Sequence, residues 1–326
     1  MKKSKSLLSL RMALFALLVL ASCASAPRTQ RAEEDPGGEF ATLGPGAQMY
    51  VIVDVAAARP ILDLVSFDGG KGMLRSGLPS AILDRTGIAV AAVYPPGTGR
   101  RFLVAAEGRF PSVRARFSFA FSSSWKKVSS PAGKRYWRSA REGLSVSLDS
   151  RSARVSDGDP YAAAGGVKPP DAYGPLRRGA ALAGWIENAA VPINYFLEKL
   201  QIPLQIPAER ALFGVYALPP SGPPEYVGGD AAGEAGPGEG ALRYEAVLRI
   251  ETASASQARG LIAMISLVRA LLEPSGVSWP GNPANLAAAL LVNPPVQEGS
   301  ALILRSSGMD RESIALLFNL FSVYSN

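Results

Sequence analysis

Histidine is absent from all 326 residues, and cysteine occurs once, at Cys23. The first absence removes Ser-His-Asp and Cys-His catalysis, histidine general acid–base chemistry and zinc sites with histidine ligands. The second leaves no partner for a disulfide, so the fold must stand on its core alone. Beyond Cys23 no apolar run is long and uninterrupted enough for a transmembrane helix; the richest, Leu261 to Leu272, is short and contains Arg269. No G-x-S-x-G elbow occurs, and no spacing resembles a calcium loop. The stretch Asp68-Gly-Gly-Lys-Gly72 lacks the P-loop spacing and the Ser or Thr after lysine, and reads as a turn. No catalytic residue, metal or cofactor is therefore expected.

What the chain does have begins at its amino terminus. Lys2, Lys3, Lys5 and Arg11 form a positive segment, followed by a short apolar run from Met12 to Leu20. Nine residues are about half of the roughly 20 that a spanning helix needs, so the run reads as an export signal. Leu20-Ala21-Ser22-Cys23 then presents Leu, two small residues and Cys. This stretch resembles the signal peptide and lipobox of bacterial lipoproteins. The resemblance implies cleavage before Cys23, diacylglycerol on its sulfur and a membrane anchor in the cell envelope, on the periplasmic side or the outer surface. An ordinary secretory signal is the alternative, since Ala24-Ser25-Ala26 also offers a small-residue cleavage site. Two or three acyl chains, at ~0.8 kcal/mol per buried CH₂, would hold the protein permanently.

Charge is unevenly spread. Gly44 to Pro175 carries 18 basic and 10 acidic residues, whereas Leu176 to Asn326 carries 10 and 13. A basic half suits anionic lipid or another polyanion, or is simply a solvated face. Arg114, Arg116, Lys126, Lys127, Lys134, Arg135 and Arg138 lie among Phe110, Phe117, Phe119, Phe121, Trp125, Tyr136 and Trp137. These residues either form an amphipathic surface that lies on a membrane or takes up lipid, or are core aromatics beneath a basic rim. The expected partners are the membrane, through Cys23, and anionic lipid or another envelope protein. Nucleic acid is not expected for an exported chain.

The body reads as a duplication. Met49–Val55 alternates as a strand and runs into Ala56–Val65, with Pro60 placed for a first helical turn; Ala183–Leu197 repeats the pattern, with Pro192 lying 132 residues after Pro60. Strands follow at Gly87–Tyr94 and Arg101–Glu107, echoed at Ala211–Leu218 and Tyr244–Glu251. Ser112–Ser122 echoes Ser256–Ser266, and both are expected as helices. The second is clear from Leu261, Met264, Ile265, Val268 and Leu272 on one face, with Ser254 or Ser256 as a cap. The first is ambiguous, because Phe117, Phe119 and Phe121 also alternate as in a strand. Glu142–Leu148 parallels Glu298–Leu304, each expected as the second arm of a hairpin after Arg135–Arg138 and Ala288–Val292. A helix from Arg311 to Tyr324 closes the chain, its start marked by Asp310.

The expected fold class is α+β, with two tandem β-α-β-β-α-β (ferredoxin-like) repeats on antiparallel sheets. The expected organisation is a signal peptide (1–22), a lipidated flexible tether (23–46), a first repeat (47–160), a linker (161–178) and a second repeat (179–326). The second repeat carries a long loop at 219–240. Glu187 and Asn188, beside Trp185, either line a pocket or cap the following helix. These features point to a non-enzymatic binding or scaffolding module. The alternatives are a lipid or amphiphile carrier and a histidine-free envelope hydrolase working through paired carboxylates.

Overall fold

The structure, a computed structural model, describes residues 38–63, 83–95, 97–162, 165–199, 205–219, 243–272 and 291–314. It is a mixed fold dominated by one antiparallel sheet of twelve strands, in the order β11-β12-β10-β9-β8-β1-β2-β3-β7-β6-β5-β4. The first half supplies β1 (Met49–Asp54), α1 (Val55–Leu62), β2 (Thr86–Val93), β3 (Phe102–Gly108), α2 (Ser112–Phe121), β4 (Lys126–Ser129), β5 (Arg135–Ser139), β6 (Leu144–Leu148) and β7 (Ser152–Ser156). After α3 (Tyr173–Arg177), the second half supplies β8 (Leu182–Glu187), α4 (Ala190–Lys199), β9 (Arg210–Ala217), β10 (Tyr244–Glu251), α5 (Ala255–Leu272), β11 (Val296–Glu298) and β12 (Ala301–Arg305).

The repeated element order is present, but its topology is not ferredoxin-like. That plan needs the strands flanking the first helix to be parallel neighbours of a third strand between them. Here β1 pairs directly and antiparallel with β2, and β8 with β9. Each half is a meander, β1-β2-β3-β7 and β8-β9-β10-β12, running outward from a shared centre. The halves meet where β1 pairs antiparallel with β8, Met49 opposite Ile186 through Val53 opposite Leu182. Instead of two sheets there is one.

Several elements differ locally from expectation. Asp54 caps α1 by accepting from the N–H groups of Ala56 and Ala57, so the helix starts at Val55 and Pro60 falls in its second turn. The positional counterpart of β12 is β7, which the sequence pattern did not reveal, and the arm preceding β12 is β11. Residues 288–290 of the expected arm lie outside the described residues, as do Asp68–Gly72, the loop from Pro220 on and the final helix beyond Ile314. The stretch expected as a tether is folded from Gly38 onward: Phe40 and Leu43 are fully buried, because apolar side chains followed the polar segment closely enough to reach the sheet. The expected linker holds α3, whose Tyr173 is also fully buried. The ambiguous segment is helical, as α2. Ser254 and Gln257 cap α5 together, Ser254 Oγ accepting from the Gln257 N–H and Gln257 Oε1 from the Ala253 N–H.

The sheet has two distinct faces. On one, α1, α2, α4 and α5 pack over three apolar clusters centred on Phe119 with Val146, Ile61 with Val215, and Leu261 with Ile250. On the other, residues 38–47 and α3 cover the junction of the halves. Phe40 meets the rings of Trp185, Tyr173 and Tyr50 at 4.9, 5.6 and 6.4 Å, and Tyr50 stacks on Trp185 at 4.7 Å. Such ring pairs add about 0.5–1.5 kcal/mol each beyond the area they bury.

The junction requires a glycine. A Cβ on Gly184 would run into the Tyr50 carbonyl oxygen and come within 2.7 Å of Phe213 Cζ. Gly184→Ala is therefore expected to destabilise the fold by about 2–3 kcal/mol, read as a lower urea midpoint. Gly174→Ala, with nothing within 4 Å of the added atom, is expected to be neutral.

Candidate functional site

The residues singled out by charge and aromaticity gather at one end of the sheet. α2 lies over β6 and β4 through Ala115 and Phe119, which are 2 % exposed. Phe119 sits 4.8 Å from Trp125 and 5.7 Å from Trp137. A helix advances 100° per residue, so burying 115 and 119 turns 113, 117 and 121 outward. Val113, Phe117 and Phe121 are 67, 59 and 85 % exposed, and the two phenyl rings stack at 6.3 Å. The result is an apolar stripe facing away from the core, on a short helix whose other side is anchored.

The β4–β5 hairpin continues this end with cations. Side chains alternate across a strand, so Lys127 and Arg135 share the α2 side with Trp137, whereas Lys126 and Arg138 project from the opposite face. Lys134 lies in the turn. Lys126 stands directly opposite Arg138 in the register, a like-charge pairing that opposes hairpin formation. Among the described residues none of Lys126, Lys127, Lys134, Arg135 and Arg138 has an ion-pair partner. The hairpin's nearest neutralised cation is Arg141, 3.6 Å from Glu142. On α2, Arg116 donates to the Leu148 carbonyl at 3.2 Å. The structure thus brings all seven predicted cations to one edge, but splits the hairpin's between two faces. Cys23 lies outside the described residues.

The aromatic set divides the same way. Phe110, Phe119 and Tyr136 are buried and Trp125 and Trp137 half-buried, as core residues beneath a rim would be. Phe117 and Phe121 are not. Sequence reasoning grouped Phe117 with Phe119 by alternation; the signal that separates them is the four-residue spacing Val113-Phe117-Phe121. Glu187 does not cap α4. Its carboxylate accepts from Trp185 Nε1 at 3.0 Å and pairs with Arg210 at 3.1 Å. Asn188 makes the turn into α4 with φ of 51°.

The second half handles charge differently. Across β8, β9, β10 and β11, Glu187, Arg210, Glu251, Arg249 and Glu298 form a continuous ladder of ion pairs between 2.7 and 3.4 Å, and Arg305 pairs with Glu245 on the same face. A small cavity of about 80 Å³ lies between residues 38–47 and the sheet, lined among others by Glu39, Thr42, Val90, Ala105 and Arg154. Arg154 lies over the Tyr161 ring at 5.0 Å. Burial pushes the nearby Tyr173 hydroxyl far above its ordinary range, so it stays protonated. Among the described residues, no helix is long and apolar enough to cross a membrane.

The fold defines a class: a continuous antiparallel sheet built from two meanders, with helices on one face. Solved structures share it. Crystal form III of TP0453 is similar at a TM-score of 0.54 and 16 % identity, over 90 % of this chain and 100 % of that one. Crystal form I matches at 0.53 and 16 %, over 90 % and 99 %, and form IV at 0.51 and 14 %, over 86 % and 96 %. At such identity the likeness is one of fold. No family model matches the chain, and no curated protein matches it in sequence.

The uncompensated hairpin charge has a stability cost that can be measured. Arg138→Glu, placing a carboxylate opposite Lys126, is expected to raise stability by about 0.5–1 kcal/mol. A thermal melt at low salt would show the gain, and high salt should shrink it.

Proposed function

We propose that the chain is a lipid-anchored protein of the bacterial cell envelope, without enzymatic activity, that docks on an anionic membrane surface. One observation carries the reading. An apolar stripe (Val113, Phe117, Phe121) stands exposed beside a hairpin whose cations have no acidic partners among the described residues. Monomeric surfaces rarely leave large apolar side chains contiguous and uncovered, and natural hairpins avoid like charges opposite one another. A bilayer with acidic head groups on the α2 side would cover the stripe and meet Lys127 and Arg135, which share that face, and Lys134 in the turn. The rings would enter the acyl boundary while lysine and arginine stay with the phosphates.

The lipobox resemblance at Leu20–Cys23 supplies the permanent attachment in this reading, and the edge supplies orientation. A short apolar stripe binds weakly by itself, whereas a second contact on a chain already held at the surface acts at high effective concentration. Fourteen residues lie between Cys23 and Gly38. At full extension they span at most about 50 Å, enough to let the folded part settle against the bilayer that holds it.

Two tests separate anchor from docking surface. Cys23→Ala is expected to release the protein from the membrane fraction of the cells that make it once the membranes are washed at high salt; sedimentation that survives the wash would remove the anchor from the account. The full chain carrying Cys23→Ala is then mixed with vesicles of phosphatidylglycerol and phosphatidylcholine. Binding should require the anionic lipid and weaken with salt. Charge reversal at Lys127, Lys134 and Arg135 together should weaken it at least roughly 100-fold, at about 1 kcal/mol for each cation. Phe117→Ser with Phe121→Ser should abolish whatever binding survives high salt. Equal binding to pure phosphatidylcholine, or none to either, would overturn the docking proposal.

A further inference from the structure

Residues 38–47 form a strap across the junction of the two halves, and their manner of attachment is unusual. Among the described residues no backbone–backbone hydrogen bond joins residues 38–46 to the sheet. The strap is held by side chains. Phe40 and Leu43 fill an apolar groove with Tyr50, Val90, Leu103, Tyr173 and Trp185. Glu39 accepts from one edge of the Arg177 guanidinium, Nε at 3.2 Å and Nη2 at 3.1 Å, with the two side chains 11 and 16 % exposed. The Gly44 carbonyl accepts from the hydroxyls of Tyr50 and Tyr94, each at 3.1 Å.

The fit is imperfect in three places. The cavity of about 80 Å³ opens directly beneath Glu39 and Thr42. Thr42 Oγ1, on its lining, is buried without a hydrogen-bond partner, and so, against Phe40, is the Tyr173 hydroxyl. Protein cores are normally close-packed with their polar atoms satisfied. A segment lacking ladder hydrogen bonds, with a void and orphaned hydroxyls beneath it, belongs to the low-stability end of a structure, where local opening occurs.

The groove already specifies what would replace the strap. Arg177 is also tied to its own chain, donating to the Ala180 carbonyl at 3.2 Å, so the guanidinium stays in place when Glu39 leaves. An opened groove would therefore present a fixed, half-buried cation at one end of an aromatic and aliphatic trough. The strap fills that trough with a carboxylate followed by apolar bulk. We infer that the strap is a removable cover occupying, in the manner of a ligand, a binding groove for a long-chain carboxylate. The ligand's head group takes Glu39's place on Arg177, and its chain takes the places of Phe40 and Leu43. The proposal is independent of the docking edge, which lies on a different part of the sheet.

The test uses the full chain carrying Cys23→Ala, free of detergent, with the fluorescent fatty acid cis-parinaric acid as probe. Glu39→Gln removes the latch, and Phe40→Ser loosens the cover by a second route. Hydrogen exchange over residues 38–47 should rise in both. An equilibrium that keeps the competent state at a few per cent reduces apparent affinity in proportion, so release is expected to tighten probe binding about tenfold. Adding Arg177→Gln should cancel that gain, and Phe117→Ser with Phe121→Ser should leave it intact. Three results would overturn the inference. These are exchange over the strap that rises in neither variant, affinity that stays unchanged although the strap is released, and a gain that disappears with the α2 phenylalanines, placing the probe there.

Discussion

Everything in this molecule is arranged about the pairing of β1 with β8. That contact turns two four-strand meanders into one sheet, and Gly184 permits it by letting the Tyr50 and Phe213 positions close over a strand without a side chain. Because the pairing is antiparallel, the meanders run outward in opposite directions. Their far edges, β4 and β11, end up at opposite ends of the sheet. Six strand spacings of about 4.8 Å put β4 roughly 29 Å from β1. The strap enters at the centre, and the basic hairpin stands at the rim.

How the sequence foreshadows this arrangement depends on which physical signal each feature leaves. The strands read at Met49–Val55, Gly87–Tyr94 and Arg101–Glu107 lie within a residue of those observed, because a half-buried strand imposes period two whatever its neighbours. The neighbours leave no such mark. Val51 and Ile52 alternate identically whether β2 lies beside β1 or one strand away, so the ferredoxin-like order and the observed meander are equally compatible with the pattern. β6 shows the limit from the other side: Leu-Ser-Val-Ser-Leu reads as one wet face, yet all five residues are buried, Ser147 bonding Tyr161 beneath the 157–162 turn. At the candidate site, residue type was legible and orientation was not. The cations of the hairpin could be named, but their division between faces follows from the register of β4 on β5, which composition does not encode. The buried strap was obscured by the polar segment before it, since Phe40 and Leu43 are too few to register as an element.

The two halves solve one electrostatic problem in opposite ways. In the second half, Arg210 stands opposite Glu187 on one side and Glu251 on the other, and Arg249 extends the chain to Glu298. Partly exposed pairs of this kind contribute little individually, but together they give every charge of the ladder an opposite partner. In the first half β4 and β5, which lie beyond β7 and have no counterpart among the five strands of the second half, place Lys126 against Arg138 with no acid between them. The basic edge therefore stands on strands that the second half lacks. Lysines on a short edge strand also discourage pairing with another sheet, which accounts for part of the pattern. That device needs charge only on the edge strand itself, whereas here Arg135 and Arg138 lie one strand further in.

The centre and the rim impose different requirements on the same chain. Docking at the rim needs a rigid edge, and α2 meets that need by burying Ala115 and Phe119 against Trp125 and Trp137 while leaving Phe117 and Phe121 outside. A removable strap needs the reverse, a segment whose loss leaves the sheet intact. The hydrogen-bond pattern provides it, since β1, β2 and β8 complete their ladders without residues 38–46. The strap's own contacts complete the contrast: Glu39 on Arg177 and the Gly44 carbonyl on Tyr50 and Tyr94 are bonds to side chains, so the walls of the groove keep their backbone pairing when those bonds are given up.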